Sequence, residues 1–503
     1  MSTLTTIQID IFNVFDPFSL LKAGLSHNDT EDSNDYGFKD SFGNALTMHS
    51  NAGDLTYDAN HVPNGGMIDS FEIRDALGRS LATASLLGGV SAVTFAATVI
   101  GDSLTRYNYL VSLLDDATTG TGNAGSNYFE VGAGNDTVSM DAGDDTVVKW
   151  KSGNLTYDGG TGSDTLSFQA QDGPVYPTAL AQQLIINLAT GVGQNPYGGT
   201  LSLTSVENIV GTGAADQITG NDDANIVGDG LFDGGADIVN AAGGNDIVYL
   251  SSFTTAGASF NGGSGTDQLR FDLETFSNNN DAILDLLNQS ANAGSFAGIA
   301  VTGFENFMVR NAGVTLNNFT FRGDNTANTV TGSVFVAGTT TENGRDFLFG
   351  RGGNDVLNGL SGRDMLDGGI GNDTLNGGAG VDLVVGGAGR DVMSGSTGND
   401  VFDFNKTADT GKTAALRDRI TDFKHNQDDI NLRDIDANTK VGGNQNFKFI
   451  SAQAFHNIAG EVHYRFEGAS KTIVEGDTNG DGKADFMIEL TGHLTLSGGD
   501  FVL

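Results

Sequence analysis

Cysteine is absent from this 503-residue chain, proline occurs five times and tryptophan once, and 25 basic residues face 63 acidic ones. Without cysteine there are no disulfide staples and no thiolate zinc sites, so an extracellular life would require another brace. The shortage of lysine and arginine leaves a net charge of −38. Such a chain repels nucleic acid and anionic membrane surfaces and favours a cationic partner, a divalent metal being the simplest. Long apolar runs are missing too. The segment 86–100 is apolar but glycine-interrupted; it reads as buried strands and falls short of the ~20 residues of a membrane-spanning helix. The opening residues, MSTLTTIQIDIFNVFDPF, have no basic start and no small-residue cleavage site, so no cleaved export signal is expected.

Glycine, by contrast, is abundant at 73 residues, and it is accompanied by 31 phenylalanines. Glycine and acid alone describe a disordered chain, but regularly spaced Val, Leu, Ile and Phe provide something to bury. From 341 to 403 the sequence keeps an unbroken nine-residue period, the mark of a repeat architecture. Aspartate recurs as Asp346, Asp355, Asp364, Asp373, Asp382, Asp391 and Asp400. Glycine stands two residues before each, at Gly344, Gly353, Gly362, Gly371, Gly380, Gly389 and Gly398. An apolar residue stands two after each: Leu348, Leu357, Leu366, Leu375, Val384, Met393 and Phe402. The stretch GGIGNDTLN (368–376) fits the pattern G-G-x-G-x-D-x-U-x, where U is apolar. Broken copies occur upstream around Asp136, Asp145, Asp164, Asp216, Asp237, Asp246 and Asp267, and SVENIVGTGAAD (205–216) and GFENFMVRNAG (303–313) look like strands re-entering the same structure.

Each nonapeptide combines a turn with a short strand. Glycine permits the positive-φ backbone and close approach that stacked turns need, and the apolar residue has neighbours to pack on only when repeats stack. If two repeats make one coil, same-side turns lie eighteen residues apart and two aspartate ladders form. Carboxylates stacked about 4.8 Å apart repel one another unless a cation lies between them. Calcium suits the gap, because it takes carboxylate and carbonyl oxygens together. The expected inter-turn sites pair Asp346 with Asp364, Asp355 with Asp373, Asp364 with Asp382, Asp373 with Asp391, and Asp382 with Asp400, and metal binding and folding become one event. The competing reading is that the aspartates merely close Asx turns. It applies best to the upstream copies, which lack one or both ladder neighbours.

These residues resemble the RTX (repeats-in-toxin) family, whose nonapeptides form a calcium-bound parallel β-roll. Residues 404–503 are similar to the C-terminal domain of serralysin-type secreted proteins through DRITDFKHNQDDINLRDIDA (418–437), FHNIAGEVHYRF (455–466), VEGDTNGDGKADFMIEL (474–490) and the terminal DFVL. GDLTYDANHVPNGGMIDSFEIRDALG (53–78) is similar to a module that precedes such repeats in alphaproteobacterial proteins. The resemblance implies several bound calcium ions and passage through a type I exporter from a Gram-negative cell. It also implies folding outside, where calcium is plentiful.

An enzyme is not the expected outcome. Serralysins carry H-E-x-x-H, and none of the seven histidines here fits it, so a zinc protease of that kind is excluded. VIGDSLTRY (99–107) is similar to the nucleophile block of GDSL esterases, with Ser103 in the nucleophile position. Its companion blocks match only inside a repeat (Asn354, Asp355) and in the C-terminal region (Asp422, His425). Asp477, Asn479, Asp481 and Asp485 follow the spacing of an EF-hand loop, but Ile488 stands where the closing glutamate belongs. They are a further candidate calcium site or an Asx-rich hairpin. His456 and His463 are expected to be structural.

The expected fold is mostly β, with a β-rich N-terminal module over 1–125, interrupted roll segments with β insertions over 126–340, a regular calcium β-roll over 341–403 and a closing β-sandwich over 404–503. A helix is expected over 104–116. The expected function is a secreted, non-enzymatic calcium-binding protein in contact with polysaccharide or a cell surface. The alternative is a secreted hydrolase, glycan-directed or esterase, housed in 1–330.

Overall fold

The computed structural model describes residues 119–122, 124–168, 183–228, 235–250, 256–273, 282–293, 296–311, 318–334 and 345–503, together with the backbone of strands before residue 119. Ser103 and the helix expected over 104–116 lie outside the described residues. Among the described residues there is no α-helix, and no helix is long and apolar enough to cross a membrane. The chain divides into two compact units, Met1–Asp246 and Ile247–Leu503.

In the second unit the nine-residue period becomes a winding parallel structure. Leu348 pairs with Leu366, Leu366 with Val384 and Val384 with Phe402 in one sheet. Leu357 pairs with Leu375, and Leu375 with Met393, in the other. Successive repeats therefore alternate between two sheets, and same-side residues stand eighteen apart. The apolar residue of each repeat points inward: Leu348, Leu357, Leu366, Val384, Met393 and Phe402 are all 0% exposed. Parallel strands three to seven residues long, each with one fully buried side chain, cannot hold singly; stacking is what buries the row.

Glycine is obligatory where the turns nest. Gly371, Gly380, Gly389 and Gly398 have φ between 147° and 156°, and a Cβ on any of them would lie 1.4–1.5 Å from the carbonyl oxygen of the glycine eighteen residues earlier. No other residue type fits that spacing.

The roll is not sealed at residue 403. Asp418–Ile420 continues one sheet beside Val392–Thr397, and Asp429–Asn431 continues the other beside Val401–Asp403. Phe486–Thr491 then pairs with Asp418–Ile420, and Phe501–Val502 with Asp429–Asn431. Glu461–Glu467, Lys471–Asp477 and Phe486–Thr491 form an antiparallel meander. Its inward residues Val462, Ile473, Val474, Phe486, Ile488 and Leu490 are completely buried.

The first unit winds in the same way with interruptions. Tyr128–Val131, Thr146–Lys149, Thr165–Ser167, Asn208–Val210 and Ile226–Gly228 form one parallel series. Asp136–Ser139, Leu155–Asp158 and Thr200–Thr204 form another, into which the antiparallel excursion Ile185–Asn187, Val192–Gln194 is inserted. Before residue 119, Met67–Arg74 pairs antiparallel with Ser80–Ser91 and with Ala45–His49.

Candidate metal centre

The turn of each repeat ends at its aspartate, and the winding places that aspartate against the one eighteen residues on. Oδ1 of Asp364 accepts the backbone N–H of Asp346 at 2.9 Å, and Oδ1 of Asp373 accepts that of Asp355 at 2.8 Å. Asp382, Asp391 and Asp400 do the same for Asp364, Asp373 and Asp382 at 2.8, 2.8 and 3.0 Å. The five pairs expected from the period are thus brought together. All seven aspartates are at most 2% exposed.

The second carboxylate oxygen is the informative one. Oδ2 of Asp355, Asp364, Asp373, Asp382, Asp391 and Asp400 is buried and has no hydrogen-bond partner. A buried charged oxygen without a partner is costly, and here the omission repeats at each turn from Asp355 to Asp400. Each Oδ2 faces a cradle that glycine leaves open. The place of a Cβ on Gly350 lies 2.2 Å from Asp355 Oδ2 and 2.6 Å from the Gly368 carbonyl oxygen. At Gly359 the corresponding atoms are Asp364 Oδ2 and the Gly377 carbonyl, both at 2.6 Å. Carboxylate and carbonyl oxygens from adjacent coils therefore converge, a donor set of hard oxygens without nitrogen or sulfur, which suits calcium. Among the described residues no group of three or more His, Asp or Glu side chains gathers; an ion here depends on main-chain carbonyls for the balance of its ligands.

Electrostatics point the same way. Burial raises the Asp364 carboxyl to about 8, with Asp346 adding like-charge repulsion. Burial likewise lifts Asp355, Asp391 and Asp400 to about 7 and Asp373 to about 6. Left to themselves, these turns hold part of their carboxyls protonated near neutral pH, Asp364 above all. A divalent cation in the cradle reverses that preference by stabilising the carboxylate.

Comparison with known proteins agrees with this geometry. Residues 354–503 match the peptidase M10 serralysin C-terminal family, and residues 115–147 and 233–252 match the RTX calcium-binding nonapeptide repeat in its four-copy form. The chain carries RTX nonapeptide repeats and a serralysin-like C-terminal region. RTX nonapeptide repeats bind calcium ions, so calcium is the cofactor of this secreted protein. Among solved structures, the solution structure of the AlgE6R3 subunit from the Azotobacter vinelandii mannuronan C5-epimerase is 26% identical, covering 34% of this chain and 84% of that one, with a TM-score of 0.21. No curated protein matches the chain.

The RTX ladders extend further than the period shows. Asp391 donates its N–H to Asp418 Oδ1 at 2.7 Å, and Asp400 donates to Asp428 Oδ1 at 3.1 Å. Asp418 is fully buried, its Oδ2 has no partner, and burial with Asp391 nearby raises it to about 8. Both residues escaped the eighteen-residue ladder count because they lie 27 and 28 residues on. The available signal was the apolar residue two positions later, Ile420 and Ile430. Glu207 and Glu305 were missed in the same way. Each accepts the N–H of a repeat aspartate, Asp164 and Asp267, at 2.8 Å, and each precedes an inward Ile209 or Phe307 by two residues.

The upstream candidates divide. Asp145 accepts from Asn127 N–H and donates to Asp164 Oδ1, and both of their Oδ2 atoms are buried without partners. Asp237 and Asp246 accept from Asp216 and Asn225 in ladder fashion. Asp216 instead spends its oxygens on Leu184 N–H, Thr212 N–H and the Thr212 hydroxyl, as an Asx-type turn does. Asp136 pairs with Lys149.

In the loop after Lys471–Asp477, Asp477 accepts from the N–H groups of Asn479, Gly480 and Gly482. Asp485 binds Thr478, the Asn479 amide and Lys412, and Asp481 accepts from Lys483 N–H. These contacts make the loop a series of Asx turns. His456 pairs with Glu461 and His463 with Glu475.

Proposed function

We propose that calcium entering the aspartate ladders is what folds the roll, so that the chain crosses a type I exporter unfolded and becomes compact only in a calcium-rich medium. The supporting observation is the row of buried Oδ2 atoms from Asp355 to Asp400 that have no partner within the protein. A fold that omits the same bond at six successive turns is completed by something from outside, and metal binding is then folding free energy. The ligands are the carboxylates of Asp346 to Asp400, continued by Asp418 and Asp428, with turn carbonyls between them.

The test is circular dichroism and light scattering of the full chain in millimolar calcium and in excess chelator. Calcium should give a compact β spectrum that chelator abolishes reversibly. An unchanged β spectrum and size in chelator would refute the proposal.

Once folded, the protein acts by contact with polysaccharide or a cell surface rather than by turnover. Retention of the calcium-loaded chain on such surfaces, with no product from ester or glycan substrates, is the expected result. Product formation abolished by Ser103→Ala would establish the hydrolase instead.

A further inference from the structure

One coil of the first unit departs from the rule that the ladder needs a metal. In register with Asp136, where the regular ladder has a second aspartate, stands the buried apolar Leu155. At the end of Thr146–Lys149, in register with Val131, the chain places Lys149. This lysine is 0% exposed, and its ammonium lies 2.6 Å from Asp136 Oδ2, itself a fully buried side chain. It also donates to the Gly132 carbonyl, in the turn that leads to Asp136, and to the Ser152 carbonyl at 3.4 Å, in the turn that leads to Leu155.

We infer that the Lys149 ammonium takes the place of a calcium ion at the Asp136 turn, a counter-cation carried by the chain itself, so that this turn binds no metal. The inference rests on the reading that calcium occupies the other ladder turns. The ammonium collects the kinds of donor assigned to the ion elsewhere, a carboxylate oxygen and main-chain carbonyls from two stacked turns. Charge balance fits as well. The turn offers one carboxylate instead of two, and one positive charge neutralises it.

The opposite side of the same coils provides the contrast. Asp145 and Asp164 form a two-carboxylate pair whose Oδ2 atoms are both buried without partners. A buried lysine is tolerated only when paired and hydrogen-bonded, and the Asp136 turn supplies both conditions. Lys149 is thus the residue that decides metal against no metal at this turn.

The experiment counts calcium in the dialysed full chain by elemental analysis and measures its thermal unfolding in saturating calcium. Asp136→Asn should leave the calcium count unchanged, whereas Asp164→Asn should lower it by one. Lys149→Met strands a buried carboxylate and should lower the unfolding temperature by about 10 °C; adding Asp136→Asn should recover most of that loss. The inference is overturned if Asp136→Asn loses a calcium ion, if Lys149→Met unfolds at the wild-type temperature, or if Asp136→Asn fails to rescue it. If Asp164→Asn also leaves the count unchanged, the calcium reading of the ladder has failed instead, and the Lys149→Met measurements still decide the ion pair.

Discussion

A ladder aspartate performs two tasks with two oxygens, and substitution can separate them. Oδ1 of Asp373 holds the Asp355 N–H, while Oδ2 faces the cradle beside Gly368. Asp373→Asn keeps a carbonyl oxygen for the first task and removes the charge needed for the second. The calcium concentration at the folding midpoint should rise roughly 10- to 100-fold, the worth of about 1.5–3 kcal/mol for a bond to a charged group. Calcium titration followed by circular dichroism measures it. A different residue contributes to acid behaviour. Arg417 is buried between Glu467 and Glu489, contacting Glu489 at 2.7 and 2.9 Å. Bonds to Arg417 hold the Glu467 carboxyl down at about 2, against an ordinary 4.5. A depressed carboxyl contributes stability that is fully present above its unfolded value and is lost as pH falls through its folded one. Unfolding temperature in calcium should therefore drop between pH 4.5 and 2, and Arg417→Met should flatten that drop relative to wild type. None of this pairing was legible beforehand, because Arg417 and its partners lie 50 and 72 residues apart with no spacing rule joining them.

Among the elements, the nonapeptide was readable because a strict period ties backbone and side chain together: the same offset that fixes the turn glycine fixes which side chain faces inward. Leu375 and Ile370 show how sharp the division is. They lie five residues apart, yet Leu375 is 1% exposed and Ile370 is 70% exposed. Leu375→Ala should destabilise the calcium-loaded protein by about 2–5 kcal/mol, and Ile370→Ala should stay within about 0.5 kcal/mol, by thermal or denaturant unfolding. Equal effects would mean that the inward row is not the core. Legibility declines where an insertion breaks the count. The excursion Ile185–Asn187, Val192–Gln194 separates coils that remain hydrogen-bonded through Leu155–Asp158 and Thr200–Thr204. Beyond 403 the ladder survives as Asp418 and Asp428, but its spacing stretches to accommodate the loops that lead into the C-terminal meander. A rule based on sequence separation loses the residue there, while the structural register keeps it.

For the molecule as a whole, the net charge of −38 makes the unfolded state expanded and the calcium-free compact state costly. Two kinds of cation can reduce that cost, and they act at different ranges. Sodium screens charges beyond a Debye length of about 8 Å at physiological ionic strength, whereas ladder carboxylates stand about 4.8 Å apart in turns that exclude water. Screening therefore relieves the general repulsion and leaves the ladder pairs untouched. Magnesium has the charge but demands near-octahedral geometry at about 2.0–2.1 Å and gives up its water reluctantly, which suits a cradle of main-chain carbonyls poorly. Small-angle scattering of the full chain distinguishes these cases. In chelator the radius of gyration should approach the roughly 80 Å of an unfolded chain of this length. Added sodium chloride at 0.5 M, an arbitrary concentration of about half molar chosen to shorten the Debye length below the usual range, should shrink it only slightly. Millimolar magnesium should do little more, and millimolar calcium should produce the full contraction. If sodium chloride alone restores the compact form, general charge repulsion and not the orphaned carboxylate oxygens controls folding, and the ladder loses its role as the switch between the exported and the folded chain.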